Sequence, residues 1–328
     1  MTDDAISWLL DSDPALRWQV ERDLLSEPPG VWEATRARVA TEGFGARLLA
    51  LQDADGQWAG GAYFPAADSA GAAGVDDDGQ PWTATTWSLN ALREWGLDSA
   101  VLRERRTAEL LDRNCRWEYD NLPYWGGEVD CCINGYTLAN GLWLGADVDG
   151  LVDWFLEHQL ADGGWNCAWE DGSTRSSFHS TLNALGGLLA YDLATGGTDV
   201  SRGARRAGEG YLLQRDLMRR LETGEIVGPW VGHFTYPFRW VYSALNAADY
   251  FRRATSFDGV SPDPRMAEAI ELVRAARQPD GTWLQGEPHA GRAWFEVDAP
   301  TGEPSPWLTL YGTRVLDWWD QQFADAGG

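Results

Sequence analysis

Four side chains in the middle of the chain have the types and the spacing of a metal or catalytic site. Asp130 and Cys132 are separated by one residue, and Cys167 and His179 follow in a later loop and helix. Carboxylate, thiolate and imidazole are ligands of tetrahedral zinc, and three of them leave one position open for water or a substrate. The competing interpretation is that the cysteines are small buried apolar residues and that His179 belongs to a turn.

Two loops that lead into helices are expected to position these residues. Asp162-Gly163-Gly164 favours a tight turn, because glycine adopts backbone angles that other residues reach only at a cost. Ser176 or Ser177 can cap the helix that follows, so His179 falls in its first turn. Asp130 and the two residues after it form a similar entry into an earlier helix.

The composition is that of an acidic globular protein. The 328 residues carry 50 Asp and Glu against 26 basic side chains, all of them Arg, for a formal net charge of -24. This charge argues against nucleic acid and anionic membranes as general partners. No apolar run reaches the length of a membrane span and the N-terminus lacks a signal region, so we expect a cytoplasmic protein. Four cysteines, two of them adjacent, do not suggest a disulfide framework.

A unit of helix, turn and helix recurs along the chain. Its turns run from Gln52 to Trp58, from Gln159 to Trp165 and from Gln278 to Trp283. The helix before each turn is charged on one face, whereas the helix after it is apolar over more of its circumference, as expected for outer and inner helices. We therefore predict an all-α fold, with about five to six helix pairs arranged as an α/α toroid at residues 43–328. Residues 1–42 are predicted to be an N-terminal helical extension packed on it.

In such a ring the N-termini of the inner helices collect at one mouth, where their free N–H groups point outward. We expect a substrate, a small and apolar molecule, to bind there. Most of the 20 Trp residues are expected to link neighbouring turns instead. The side chains predicted to bind the substrate are Trp82, Thr85, Tyr124, Trp125, Tyr236 and Arg239.

The three turns resemble the repeats of squalene cyclases and of protein prenyltransferase β subunits. The matching segments are Gln-x-x-Asp-Gly-x-Trp at 52–58, Gln-x-x-Asp-Gly-Gly-Trp at 159–165 and Gln-Pro-Asp-Gly-Thr-Trp at 278–283. The resemblance covers roughly residues 44–323 and implies an α/α toroid. It does not fix the reaction, because one fold hosts several activities.

Resemblance to the prenyltransferase β subunits implies a zinc site held by Asp130, Cys132 and His179, with Cys167 as a further ligand brought in by its turn. The cations that hold a diphosphate in that family are missing around Asp130, so anion binding would use arginines from elsewhere, such as Arg175, Arg239 or Arg292. No α-subunit partner is indicated. The leading hypothesis is a zinc-containing, prenyltransferase-like enzyme that acts on an isoprenoid or similar apolar molecule.

Two alternatives stay open. Glu128-Val129-Asp130-Cys131-Cys132 resembles the acid motif of oxidosqualene cyclases, which implies a class II terpene cyclase with Asp130 as the catalytic proton donor. Asp76-Asp77-Asp78 lacks the Asp-x-Asp-Asp pattern of squalene cyclases and is predicted to be a solvated turn. The third hypothesis is a toroid that binds a ligand or a partner without catalysis.

Overall fold

The computed structural model describes residues 3–72 and 79–324, so Asp76, Asp77 and Asp78 lie outside the described residues. Within these ranges the chain forms 14 α-helices, five short 3-10 helices and one pair of two-residue strands. The predicted all-α class is therefore confirmed. No helix of the described ranges is both long and apolar enough to cross a membrane.

Most connections between the secondary structure elements are short. The longer ones within the described ranges are 214–228 and 285–303, and residues 50–72 and 79–84 lie between α4 and α5. The helices are α1 (Asp3–Leu10), α2 (Pro14–Asp23), α3 (Pro29–Ala37), α4 (Gly43–Leu49), α5 (Thr85–Glu94), α6 (Ser99–Glu104), α7 (Thr107–Asn114), α8 (Cys131–Leu144), α9 (Asp149–Glu157), α10 (Phe178–Thr195), α11 (Asp199–Leu213), α12 (Ala244–Asp258), α13 (Ala267–Ala275) and α14 (Pro306–Ala324). The antiparallel strands are β1 (Trp283–Leu284) and β2 (Pro304–Ser305). The 3-10 helices are Arg38–Ala40, Tyr124–Gly126, Cys167–Trp169, Pro229–Gly232 and Pro264–Met266.

Five helices pack in a cyclic order. Helix α5 contacts α8, α8 contacts α10, α10 contacts α12, and α12 contacts α14. The hydroxyl of Tyr311 on α14 then donates a hydrogen bond to Glu94 on α5, at 2.5 Å. Four further helices each contact at least one of these five, namely α7, α9, α11 and α13. This order surrounds one shared cavity, while the full concentric toroid stays a prediction.

The three repeat turns have the same hydrogen bonds around their tryptophans. The indole N–H groups of Trp58, Trp165 and Trp283 donate to the backbone carbonyl ten residues upstream, at 2.8 to 2.9 Å. Each of the three backbone N–H groups donates to a threonine hydroxyl on the helix that follows, at 3.1 to 3.2 Å. Each buried tryptophan thus links the helix before its turn to the helix after it. The threonines are Thr85, Thr181 and Thr309.

The N-terminal helices cover the C-terminal end of α5. Trp18 on α2 donates its indole N–H to the carbonyl of Trp95 at 2.8 Å. Arg36 on α3 donates to the carbonyl of Gly96 at 2.7 Å. Carbonyls at a helix C-terminus have no partner within the helix, so these bonds satisfy groups that α5 itself leaves free.

Candidate functional site

Asp130, Cys132 and Cys167 place one ligand atom each within 4.8 Å of one another. The sulfurs of Cys132 and Cys167 are 3.2 Å apart. Zinc–sulfur bonds of about 2.3 Å in a tetrahedral site put two sulfurs about 3.8 Å apart. An outward movement of about 0.6 Å would therefore admit a zinc ion between the two sulfurs. The donor types and their spacing fit zinc.

The loop that carries Asp130 is fixed by a buried asparagine. Asn134, in the first turns of α8, accepts from the backbone N–H of Glu128 at 2.7 Å and donates to its carbonyl at 2.6 Å. Asp130 is the last residue before α8, and Cys132 is the second residue of that helix. The carboxyl of Asp130 and the thiol of Cys132 therefore both project from the short, hydrogen-bonded segment where the loop enters α8.

Cys167 enters the group from the loop before α10. Its backbone N–H donates to the hydroxyl of Ser180 on α10 at 3.1 Å, and that hydroxyl lies 3.4 Å from the Cys167 sulfur. Cys167 also begins a 3-10 helix in which Trp169 donates its indole N–H to the carbonyl of Val129 at 2.8 Å. The two loops are thus bonded to each other beside the group.

Two glycines let α8 and α10 approach closely enough to bring these loops together. A Cβ atom added to Gly135 on α8 would lie 2.4 Å from the carbonyl oxygen of Asn183. One added to Gly187 on α10 would lie 2.7 Å from the Cα atom of Gly135. Any larger residue at either position would force the backbones apart.

The thiols of Cys131 and Cys132 both interact with the sulfur of Cys167, close to Asp130. The thiols of Cys131 and Cys132 lie 3.4 and 3.2 Å from the sulfur of Cys167, and their hydrogen bonds hold the pKa of Cys167 well below its usual range. The pKa values of Cys131 and Cys132 are raised, for Cys131 chiefly by burial and for Cys132 chiefly by the same bond. Burial, and then the charge of Cys167, raise the pKa of Asp130 to about 7. A metal ion would displace these protons, so its binding should strengthen as the pH rises.

His179 does not belong to the group of three, which is the only group of metal-ligand type found among the described residues. Its ring packs against Trp230 and Trp240, with centroid distances of 4.5 and 5.6 Å. Burial lowers the pKa of His179 to about 4, against a smaller opposing effect of Cys167. Its imidazole is therefore neutral at neutral pH, and its role as a metal ligand stays a prediction.

A cavity of about 930 Å³ is lined in part by helix α8, which also carries Cys132. Helices α5, α8, α10, α12 and α14 line it, together with α2, α3 and the loop at residues 293–297. Tyr136 lines it from α8, one helical turn beyond Cys132 on the same face. The Tyr136 hydroxyl lies 2.7 Å from Asn183 Oδ1 and 2.9 Å from the carbonyl of Arg239. Tyr136 is thus the residue of α8 that connects the cavity wall to the helical turn carrying Cys132.

The residues predicted to bind substrate divide into two sets. Trp82, Tyr236 and Arg239 line the cavity. The other three, which lie in the hydrogen-bonded framework, are not among its lining residues. The Thr85 hydroxyl accepts the backbone N–H of a repeat tryptophan, the Tyr124 ring stacks on a neighbouring indole at 4.8 Å, and the Trp125 indole donates to a carbonyl of α7.

Other cavity-lining residues were not predicted to form part of a site. Asn90 and Asn183 are the middle residues of two identical segments, Leu89-Asn90-Ala91 and Leu182-Asn183-Ala184, and both line the cavity. Asn140, at the corresponding place in α8, donates to Asn90 Oδ1 at 2.8 Å. A polar residue repeated on helices that are otherwise apolar is the sequence signal that points to this cavity.

Comparison with known proteins assigns no family. No family model matches the sequence, and neither a curated protein nor a solved structure matches the chain. The likeness of the repeat turns to those of prenyltransferases and squalene cyclases therefore stays a resemblance. The functional conclusion depends on the candidate metal centre and its cavity.

Proposed function

We propose that the protein is a zinc-containing, prenyltransferase-like enzyme that acts on a small molecule with an isoprenoid or similar apolar part. The convergence of Asp130, Cys132 and Cys167 one helical turn from the cavity carries this proposal. Bound zinc with an open position activates a thiol or a water molecule at neutral pH. The three ligands here leave such a position.

The cavity supplies aromatic surface for the apolar part of the substrate. Trp82 meets Trp87 edge to face with ring centroids 4.8 Å apart, and Tyr236 stacks on Trp307 at 4.4 Å. Aromatic faces bury large apolar areas and also stabilise a neighbouring positive charge, which develops when an allylic group is transferred. These side chains would hold the reacting group and exclude water from it.

Metal binding agrees better with the site than the cyclase alternative does. A cyclase needs Asp130 to point its proton at an alkene inside the cavity. Asp130, like Cys132 and Cys167, is not among the cavity-lining residues, so the choice between the two functions depends on the donor types. Two thiols beside the carboxyl are donors for zinc and have no role in protonating an alkene.

Metal analysis of protein purified without a metal-affinity column tests the proposal. We expect stoichiometric zinc in the unmodified protein and little zinc in Cys132→Ser and Cys167→Ser, because each loses a thiolate that the other ligands do not replace. Cys115→Ala is the matched control, since Cys115 is free and buried outside the group and should keep its zinc. His179→Ala decides whether the imidazole is a fourth ligand.

A zinc-free native protein, or full zinc in Cys132→Ser, would refute the metal centre. The isoprenoid part has a separate test, because a ligand that binds only the folded state raises the melting temperature. Isoprenoid alcohols should protect the native protein, and Trp82→Ala should lose that protection while it keeps its zinc. An absence of any shift up to the solubility limit would remove the isoprenoid assignment and leave the metal centre standing.

A further inference from the structure

Cys131 has no part in the proposed metal centre, although its sulfur lies beside it. The Cys131 side chain is buried, and its sulfur is 3.4 Å from that of Cys167. The group that could hold a metal includes Cys132 instead, whose sulfur is 3.2 Å from that of Cys167. Cys167 thus lies next to two thiols of α8, and only one of them serves as a metal ligand. The other is available for chemistry between sulfur atoms.

The distances between the sulfurs suit disulfide formation. A disulfide bond is about 2.05 Å long, so the sulfur of Cys167 would have to move about 1.2 Å to bond Cys132 and about 1.4 Å to bond Cys131. Cys131 and Cys132 are poorly placed to pair with each other. Consecutive Cα atoms are about 3.8 Å apart, whereas disulfides usually need at least about 4.4 Å, and successive side chains of a helix do not face each other. A disulfide among these three cysteines therefore includes Cys167.

The loop that carries Cys167 can supply this movement. Helix α8 has 14 residues and packs against α10, so Cys131 and Cys132 are held by a rigid element. Cys167 begins a three-residue 3-10 helix whose middle residue, Ala168, has non-helical backbone angles. Residues 170–172, which follow it, are exposed. A short exposed segment yields more readily than a pair of packed helices, so a shift of about 1 Å falls to the loop.

The three thiols differ in how easily an oxidant reaches them. Cys132 and Cys167 are partly exposed, whereas Cys131 is buried. Oxidation of cysteine begins at an accessible thiol. A small oxidant therefore meets Cys167 before Cys131, and Cys131 can act only as the partner that reacts second.

We propose that Cys167 is a site of reversible oxidation by a hydroperoxide, completed by a disulfide with Cys131 or Cys132. In the first step the sulfur of Cys167 attacks an oxygen of hydrogen peroxide and the O–O bond breaks. The sulfur is oxidised to a sulfenic acid, the peroxide is reduced, and the departing hydroxide leaves as water with the thiol proton. In the second step the sulfur of the partner attacks the sulfenic sulfur. The S–O bond breaks, the S–S bond forms, and a second water leaves with the proton of the partner thiol.

Either disulfide removes Cys167 from the metal ligands. The thiolate is the form of cysteine that binds a metal, and a sulfur in a disulfide no longer carries that charge. With Cys132 as the partner two ligands are lost, and with Cys131 as the partner one is lost. Oxidation should therefore release the metal. This consequence rests on the proposed function, whereas the disulfide itself does not.

Peptide mapping of the full-length protein by mass spectrometry tests the site. The protein is treated with a chelator and then with hydrogen peroxide, and its remaining thiols are alkylated. Native protein should contain a disulfide of Cys167. Cys131→Ser and Cys132→Ser should each still form one with the partner that remains, whereas Cys167→Ser should form none. Cys115→Ala is the control, because Cys115 lies outside the group and its variant should be oxidised as the native protein is.

Native protein whose cysteines stay reduced in excess peroxide would overturn the proposal, and so would an undiminished disulfide in Cys167→Ser. The measurement on native protein needs no variant, so it decides the question even where a substitution prevents folding.

Release of the metal is followed separately with a chromophoric chelator. Zinc-loaded protein should lose its zinc in proportion to the disulfide formed and should bind it again after reduction with dithiothreitol. Zinc that is retained under peroxide would overturn the link between oxidation and metal release. A native protein that forms the disulfide but binds no zinc would refute the proposed function and leave the oxidation site standing.

Discussion

Adjacent glycines on α10 provide a direct test of the close approach that assembles the candidate metal centre. A Cβ atom at Gly187 would lie 2.7 and 2.8 Å from the Cα and carbonyl oxygen of Gly135, whereas one at Gly186 would meet nothing within 4 Å. Both residues are inside the same helix, so replacement by alanine raises helix propensity equally, by about 1 kcal/mol. The difference between Gly187→Ala and Gly186→Ala therefore isolates the helix contact.

The size of the effect follows from that contact. Backbone atoms cannot rotate away as a side chain does, so α8 and α10 must separate by roughly 0.7 Å to restore an ordinary contact. Overpacking of this kind costs about 1–3 kcal/mol. For 328 residues the entropy of unfolding is about 0.7 kcal/mol per degree. We therefore expect Gly187→Ala to melt about 1.5–4 °C below Gly186→Ala.

Differential scanning calorimetry in the presence of a chelator measures this difference without a contribution from zinc. A second measurement, zinc affinity by competition with a chromophoric chelator, should show weaker binding for Gly187→Ala alone, because Cys132 and Cys167 are positioned through the same pair of helices. Equal melting temperatures for the two variants would refute the close approach. A lower melting temperature with unchanged zinc affinity would show that the helix contact does not position the ligands.

Two further predictions concern stability. Trp165→Phe should cost about 1–3 kcal/mol in urea denaturation, because it leaves the buried carbonyl of Phe155 without its 2.9 Å hydrogen bond; a cost below about 0.5 kcal/mol would contradict the linking role of the indole. Burial raises the pKa of Asp298 to about 7, above about 3.9 in the unfolded chain, so the folded state binds the proton more tightly. The stability from Asp298 is present below about pH 4 and is lost as the pH rises to about 7, and Asp298→Asn should flatten this part of a plot of melting temperature against pH.

The repeat turns were predictable because their chemistry is local. A tryptophan and the carbonyl that it bonds are ten residues apart, and the glycines at positions 56, 163 and 281 have φ values of +92°, +95° and +95°, as turns of one kind require. The spacing of the turn residues along the sequence is therefore enough to indicate the bond from each indole to its carbonyl. The same spacing predicts that a helix follows each turn, and the all-α class follows from repetition of the unit.

The direction in which a side chain points was not predictable in the same way. Thr85, Tyr124 and Trp125 lie at the start of helices or just before them, which placed them at the expected mouth, yet all three are buried in framework contacts. Successive side chains on a helix point in directions about 100° apart. A shift of one residue therefore decides whether a side chain points into the cavity or into the wall. The sequence predicts where a helix begins to within a residue or two. That precision is not enough to predict which face of the helix a side chain occupies.

Cys167 lies in the group of three ligand residues and His179 lies outside it for a related reason. Both residues were predicted to lie near Asp130, and the loop before α10 brings the sulfur of Cys167 to 3.2 Å from that of Cys132. His179, one residue inside α10, instead packs against Trp230, which arrives from a loop more than fifty residues later. A contact of that sequence separation has no local signal, so the composition of the site depends on tertiary packing.

Several arginines on the inner helices line the cavity, and the sequence pattern does not identify them. Arginines on the charged faces of outer helices are solvated, and pattern alone treats Arg93 and Arg253 in the same way. Both line the cavity, where Arg93 is half-buried and Arg253 is exposed. A buried charge there is costly unless a partner compensates it. Asp249, on the same helix as Arg253, shows the compensated case, since two arginines bind it. Which arginine meets a carboxylate in the cavity wall depends on how the helices pack, and the sequence pattern does not show it.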